Sequence, residues 1–119
     1  MALISFAKST QESWNKKLDH RLKTALRDIA YEFGGIWITC LDRDADKNAE
    51  LGGVANSKHL LNADGKCQAA DFVLMDAALN DGVIDYVKRY YSGLGIQHHD
   101  VKTGLHFHVE IKKDVQLLT

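Results

Sequence analysis

The segment that decides the fold of this chain reads Leu105-His106-Phe107-His108-Val109-Glu110-Ile111. Side chains of a β-strand alternate between the two faces of a sheet, so this alternating segment predicts a strand. The apolar residues Phe107 and Val109 would point to one face, and the two histidines would project together from the other. Neutral imidazole is a favoured zinc ligand, so the pair is a candidate metal site. Two surface histidines on a solvated sheet face would give the same pattern.

Outward from this strand, the chain predicts a mixture of helices and strands. Apolar residues at three- and four-residue spacing predict an amphipathic helix from about Ser13 to Phe33, which Gly34-Gly35 would end. The other expected elements are a strand at 36–39, an irregular loop at 54–68, a strand at 69–74, a helix at 76–91 and a strand around 96. This order predicts a single α+β domain over residues 1–119, with a small antiparallel sheet and flanking helices.

Composition and charge exclude several classes of protein. The chain has 119 residues, of which 45% are hydrophobic and 26% charged, as in an ordinary folded domain. Its 15 Lys and Arg balance 16 Asp and Glu, so neither a nucleic-acid partner nor an anionic membrane surface is expected. No apolar stretch approaches the ~20 residues of a membrane span, and the apolar stretch at 2–7 is too short for a secretory signal. Cys40 and Cys67 are too few for a disulfide scaffold, and unpaired thiols are expected.

A second group of candidate ligands lies upstream of the two histidines. His59 falls in the predicted loop, and Asp71 begins a strand that continues with the apolar residues Phe72-Val73-Leu74. An unpaired carboxylate at the mouth of a buried strand is costly, so Asp71 needs a partner. A cation held by His59, Asp71 and one histidine of the pair would meet that need. Two histidines and one aspartate leave a fourth position for water, as in catalytic rather than structural zinc sites.

Three other motifs give weaker evidence of a metal-binding or catalytic site. Asp42-x-Asp44-x-Asp46 is similar to the start of a calcium-binding EF-hand loop, but the glycine and glutamate that such a loop requires are missing. The run His98-His99-Asp100 could extend a metal site, although adjacent residues of a strand face opposite ways. Cys67 could be a thiolate ligand or a nucleophile beside a histidine, but an incidental loop thiol is the simpler interpretation.

Five short motifs follow one another along the chain. They are Cys40-Leu41-Asp42-Arg43, Asn48-Ala49-Glu50-Leu51-Gly52-Gly53, Ser57-Lys58-His59, Ala69-Ala70-Asp71 and His106-Phe107-His108-Val109. In this order they resemble the zinc D-Ala-D-Ala carboxypeptidase family, which includes phage endolysins that cut the L-Ala-D-Glu bond. The similarity runs from about Ile36 to Ile111. It implies a domain with Zn²⁺ in a cleft that hydrolyses peptide bonds of peptidoglycan stem peptides, as a carboxypeptidase or an endopeptidase.

The resemblance also implies roles for individual residues. His59, Asp71 and His108 would be the zinc ligands. His106 stands two residues before the last ligand, where members with His-x-His have a histidine that assists catalysis. Other members have a glutamate three residues before that ligand, a position held here by Leu105. The resemblance therefore makes His106 the candidate catalytic base.

Two further residues match substrate-binding positions of the family. Arg43 would stabilise the oxyanion or bind a substrate carboxylate, and Ser57 would form a hydrogen bond with the substrate or beside it. The chain departs from the family pattern between His59 and Asp71, an interval of 12 residues that is longer than the family's. An insertion at 60–68 costs little closure entropy, so the ligands could still converge, but it would reshape the cleft.

Family habit and the missing signal sequence imply a place of action. We expect synthesis in the cytoplasm and action on the cell wall after release or delivery, in phage lysis or wall remodelling. Two other classes stay open: a non-catalytic peptidoglycan-binding module on the same fold, and a phage structural protein. Zinc content would separate the structural protein from the other two, and turnover would separate the enzyme from the binding module.

Overall fold

One mixed sheet carries the fold in a computed structural model that describes residues 3–7, 10–42, 58–62, 64–101 and 104–117. Its strands are β1 (Ile4–Phe6), β2 (Ile36–Cys40), β3 (Ala69–Leu74), β4 (Tyr91–Val101) and β5 (Gly104–Leu117), in the order β1-β2-β3-β5-β4. The helices are α1 (Thr10–Lys16), α2 (His20–Phe33), a 3-10 helix (Ala77–Gly82) and α3 (Val83–Tyr90). Within these described ranges, each helix is too short or too polar to cross a lipid bilayer.

The directions of the strands correct the expected architecture in one respect. β1 and β2 run parallel, whereas the other neighbouring pairs are antiparallel. The α+β class is confirmed, but the purely antiparallel sheet is wrong. Helices α1 and α2 lie between β1 and β2 in the chain and provide the long connection that a parallel pair needs. β1 has only 3 residues, too few for alternation to mark it as a strand in the sequence.

The stretch predicted as one helix from Ser13 to Phe33 contains two. Leu18 forms a β-bridge with Cys67, and the side chain of Asp19 accepts a hydrogen bond from the backbone of the first turn of α2. The apolar spacing continues through this break, so periodicity alone could not reveal it. Gly34 ends α2 as predicted, in the left-handed conformation with φ at 82°.

The second half of the chain follows the prediction more closely. The strand predicted at 69–74 coincides with β3. The helix predicted at 76–91 is divided, because a 3-10 helix capped by the side chain of Asp76 precedes α3. β4 and β5 extend beyond the predicted strands and form a long hairpin, which brings Leu117 beside Tyr91.

The hydrophobic core lies between α2 and one face of the sheet. Its fully buried members on the helix are Leu22, Ala25, Leu26 and Ile29, and those on the sheet include Ile36, Ile38, Phe72 and Val109. Because side chains alternate along a strand, Asp71, His106 and His108 lie on the opposite face. The alternation predicted for β5 is therefore confirmed. The alternative of surface histidines is wrong, because His106 is only 8% exposed.

Candidate metal centre

Strand pairing places three reactive side chains next to one another on the face opposite α2. Asp71 on β3 is the Cα partner of His108 on β5 and of Cys40 on β2. A carboxylate therefore lies between an imidazole and a thiol in the middle of the sheet. Directly opposite residues of neighbouring strands are close enough for their side chains to interact.

A β-bulge places Cys40 in this row. The register of β2 with β3 is regular up to Ile38, which pairs with Phe72, and it shifts before Cys40. In an unbroken ladder Thr39 would stand opposite Asp71. A bulge inserts one residue and changes the direction of the side chains after it, and bulges are frequent beside active sites.

The carboxylate of Asp71 is the centre of the cluster. Its Oδ1 lies 2.8 Å from Nδ1 of His108 and 3.3 Å from Nε2 of His59. Its Oδ2 lies 3.7 Å from Nε2 of His106. Asp71 is 5% exposed, so these three imidazoles supply the partners that its burial requires. The three predicted metal ligands and the candidate base His106 thus meet at the carboxylate of Asp71.

His59 is oriented by a backbone carbonyl. Its side chain is 2% exposed, and Nδ1 donates a hydrogen bond to the carbonyl oxygen of Leu41 at the end of β2. A carbonyl oxygen only accepts, so Nδ1 carries the hydrogen, and Nε2 is the nitrogen that faces Asp71. A second hydrogen bond of the ring that fixes its tautomer and direction is the usual arrangement around a metal-binding histidine.

His108 is held between two carboxylates. Nδ1 faces Asp71, and Nε2 lies 2.8 Å from Oε1 of Glu110. Both carboxylates only accept hydrogen bonds, so each ring nitrogen needs either a hydrogen or a cation. Glu110 can accept a hydrogen bond from the Nε2–H group of His108, which leaves the lone pair of Nδ1 for a metal. Glu110 was not among the site residues predicted from the sequence. Its position two residues after His108 places it on the same strand face, and this was a usable signal.

The electrostatics of His59 and Asp71 favour opposite charges. Burial by itself would lower the pKa of His59, but hydrogen bonds with Asp71, Cys40 and Cys67 raise this pKa to about 12. Burial would raise the pKa of Asp71, but hydrogen bonds from His108 and His59 hold it well below its usual range. A proton is therefore held tightly where a cation would bind, and metal binding would release it.

One group of side chains has the spacing of a metal site. Among the described residues, Cys40, His59 and Asp71 each offer one ligand atom, and these atoms lie within 4.8 Å of one another. The group could bind a metal ion. His108 contacts the same oxygen of Asp71, and the rings of His59 and His108 are 5.1 Å apart between centroids. Thiolate, imidazole and carboxylate together are a donor set that suits zinc.

The cysteine and histidine side chains near the cluster differ in surroundings. No disulfide joins Cys40 and Cys67, as expected. Cys67 is fully buried, and its Sγ lies 3.0 Å from the carbonyl oxygen of Ala69. His98 lies on the core face of the sheet and stacks on Phe107 at 4.2 Å, which places its ring on the opposite face from Asp71. Cys40 is a candidate ligand that the sequence did not reveal, because its place beside Asp71 depends on the bulge.

Two residues, Arg43 and Ser57, are predicted from the sequence to contact the substrate. Arg43 and Ser57 lie outside the described residues, as does the motif at 48–53. Comparison with known proteins adds no further assignment: no protein-family model, no curated protein and no solved structure matches the chain. The five motifs carry the resemblance to zinc carboxypeptidases.

Proposed function

We propose that this protein is a zinc-dependent hydrolase of peptide bonds in peptidoglycan stem peptides. The observation that carries the proposal is the buried carboxylate of Asp71, which lies within 4 Å of ring nitrogens from three histidines. A cluster of one carboxylate and several imidazoles is suited to hold a divalent cation and to move a proton beside it. The choice of substrate comes from the resemblance to the zinc carboxypeptidase family.

The donor set favours zinc over harder cations. Calcium and magnesium take oxygen ligands almost entirely, whereas zinc combines imidazole, carboxylate and thiolate. Nε2 of His59, a carboxylate oxygen of Asp71 and Nδ1 of His108 would hold the ion. Zinc at such a site polarises a peptide carbonyl and lowers the pKa of water to about 7.

Two residues of the chain orient these ligands. The carbonyl of Leu41 keeps the hydrogen of His59 on Nδ1, and Glu110 keeps that of His108 on Nε2. Both imidazoles then present a lone pair to the same region around Asp71. Outer contacts of this kind usually decide how tightly a histidine site holds its metal.

His106 is placed to exchange a proton with the substrate. Its Nε2 is 3.7 Å from Oδ2 of Asp71, and the residue also lines a cavity of about 160 Å³. The other residues that line this cavity are Val73, Leu74, Ala77, Asn80, His98 and Phe107. His106 would take a proton from the attacking water and give it to the leaving amine of the substrate.

Arg43 and Ser57 complete the proposal through the resemblance. Arg43 would pair with a substrate carboxylate or with the oxyanion, and Ser57 would hydrogen-bond the substrate. Phage lysis or wall remodelling is the setting in which such an enzyme would act. Whether it cuts inside a stem peptide or at its end depends on the cleft around the 60–68 insertion.

The proposal is tested by digestion of purified peptidoglycan with the zinc-loaded protein, with the released fragments identified by mass spectrometry. We expect new amino and carboxyl termini in the stem peptides. A chelator should abolish them, and added zinc should restore them. Zinc binding without any new terminus would leave a peptidoglycan-binding module, which pull-down on insoluble peptidoglycan would detect. The absence of both zinc binding and cleavage would contradict the proposal.

A further inference from the structure

We propose that Cys40 is a fourth protein ligand of the metal centre, and that its thiolate holds the centre in a closed, resting state. This inference rests on the zinc site of the proposed function. The resemblance does not supply it, because the ligands that the family implies are His59, Asp71 and His108. It follows from the position of the thiol in the sheet.

The backbone directs Cys40 toward the site. The register shift between Ile38 and Cys40 makes Cys40, rather than Thr39, the partner of Asp71. A bulge interrupts ladder hydrogen bonds and is a costly feature to place in a short strand without a role. Here it brings a sulfur atom to the carboxylate around which the imidazoles gather.

The distances fit a ligand. Sγ of Cys40 lies 3.9 Å from Nδ1 of His59, and one ligand atom each of Cys40, His59 and Asp71 lies within 4.8 Å of the others. Ligand atoms around tetrahedral zinc are about 3.5 Å apart, given zinc–nitrogen and zinc–sulfur distances of about 2.0 to 2.3 Å. Binding would therefore require the Cys40 side chain to turn toward Nε2 of His59, the nitrogen that faces Asp71.

The number of ligands has a chemical consequence. Three protein ligands leave a position for water, whereas four close the coordination shell as in structural zinc sites. With Cys40 bound, the site would hold zinc through Cys40, His59, Asp71 and His108, and water would be excluded. Release of the Cys40 sulfur, with a proton taken up from solvent, would free that position for water. Cys40 is partly exposed, so solvent and thiol reagents can reach it.

Cobalt substitution tests this directly. Co²⁺ takes zinc sites and gives visible d–d bands when it binds, and a thiolate ligand adds a near-ultraviolet charge-transfer band. We expect both features in the wild-type protein. In Cys40→Ser the d–d bands should remain and the charge-transfer band should be lost. Cys67→Ser shows which thiol is bound, because Cys67 also forms a hydrogen bond with His59. Both features should persist in this variant, since the thiol of Cys67 donates to the carbonyl oxygen of Ala69.

The outcomes separate this inference from the proposed function. Visible d–d bands without a charge-transfer band in the wild type would overturn the role of Cys40 and leave the metal site intact. A charge-transfer band that disappears in Cys67→Ser instead would also overturn it. If the wild-type protein shows no d–d bands at all, both the metal site and the role of Cys40 are contradicted.

A second readout tests the resting state. Cys40→Ala should digest peptidoglycan faster than wild type at saturating zinc, because the fourth position is then open. Zinc should slow the alkylation of Cys40 by iodoacetamide, measured by mass spectrometry of the peptide that contains it. Slower digestion by Cys40→Ala, or alkylation that zinc does not slow, would overturn the inference.

Discussion

Asp71 and His108 are direct partners on adjacent antiparallel strands, and Oδ1 of the carboxylate lies 2.8 Å from Nδ1 of the imidazole. This contact places two candidate ligands through the backbone ladder rather than through a loop. His59 then approaches from the loop side and completes the group at 3.3 Å from the same oxygen. Rigid placement of two ligands by a sheet is the arrangement that a precise metal site requires.

Asp71→Asn should abolish tight zinc binding. The substitution keeps the size of the side chain but removes the charge, and the amide nitrogen cannot act as a ligand. We expect a loss of affinity larger than the roughly 10–100-fold that outer contacts usually contribute. Competition with a chromophoric chelator measures it. Asp64→Asn is the control, since Asp64 is exposed in a turn; equal affinities for the two variants would show that Asp71 is not a ligand.

Glu110→Ala should weaken zinc binding without preventing it. Glu110 accepts the Nε2 hydrogen of His108, so its loss frees the ring to rotate or to change tautomer. The expected decrease in affinity is about 10–100-fold. Glu110→Gln, which retains an acceptor oxygen, should lie between this variant and wild type. Glu12→Ala is the control, because Glu12 is exposed and pairs only with Lys16 in the described structure. An unchanged affinity in Glu110→Ala would show that Glu110 does not orient His108.

His106→Ala should separate metal binding from turnover. His106 is not one of the proposed ligands, and its Nε2 lies 3.7 Å from Oδ2 of Asp71, so its removal should leave one zinc per chain. Loss of a general acid–base typically lowers the rate by 10²- to 10⁴-fold, and peptidoglycan digestion should fall by about that factor. His20→Ala, on the exposed side of α2, should digest at the wild-type rate. Full activity in His106→Ala would remove this residue from the mechanism.

The stability of the zinc-free protein should depend on pH in a defined way. The lowered pKa of Asp71 gives stability that is present above about pH 4, its unfolded pKa, and is lost as the pH falls. The raised pKa of His59, about 12, gives stability that is complete below about pH 6.5 and is lost as the pH rises toward 12. The zinc-free chain should therefore be most stable between about pH 4 and 6.5.

Urea denaturation at pH 5.5, 7.5 and 9 checks this dependence. The midpoint should fall across the series in the wild type and fall less in His59→Gln, which cannot be protonated. Zinc should stabilise the wild type more at pH 7.5 than at pH 5.5, because the ion competes with the proton on Nε2. A wild-type midpoint that rises with pH in the absence of zinc would contradict the assigned ion pair.

The sequence was most informative where a signal is local. Alternation along 105–111 was enough to separate the core residues Phe107 and Val109 from the two histidines. Asp71 lies in an otherwise apolar strand, and this position predicted that its carboxylate would need partners. Both inferences use only the period of a strand and the cost of a buried charge.

Other features depend on contacts between distant residues. Cys40 reaches Asp71 only because of the bulge, and a bulge is a property of the paired strands rather than of either sequence. The break before α2 depends on the bridge between Leu18 and Cys67, which periodicity cannot show. The parallel pairing of β1 follows from where two helices deliver the chain, and three residues carry no period of their own.

The most direct test of the central claim is the metal content of the purified protein, measured by elemental analysis. The same measurement is made on His59→Ala and His108→Ala. We predict one zinc per chain in the wild type and its loss in both variants, with circular dichroism showing that each variant keeps its fold. A wild-type protein that holds no zinc, even after reconstitution, would contradict the account.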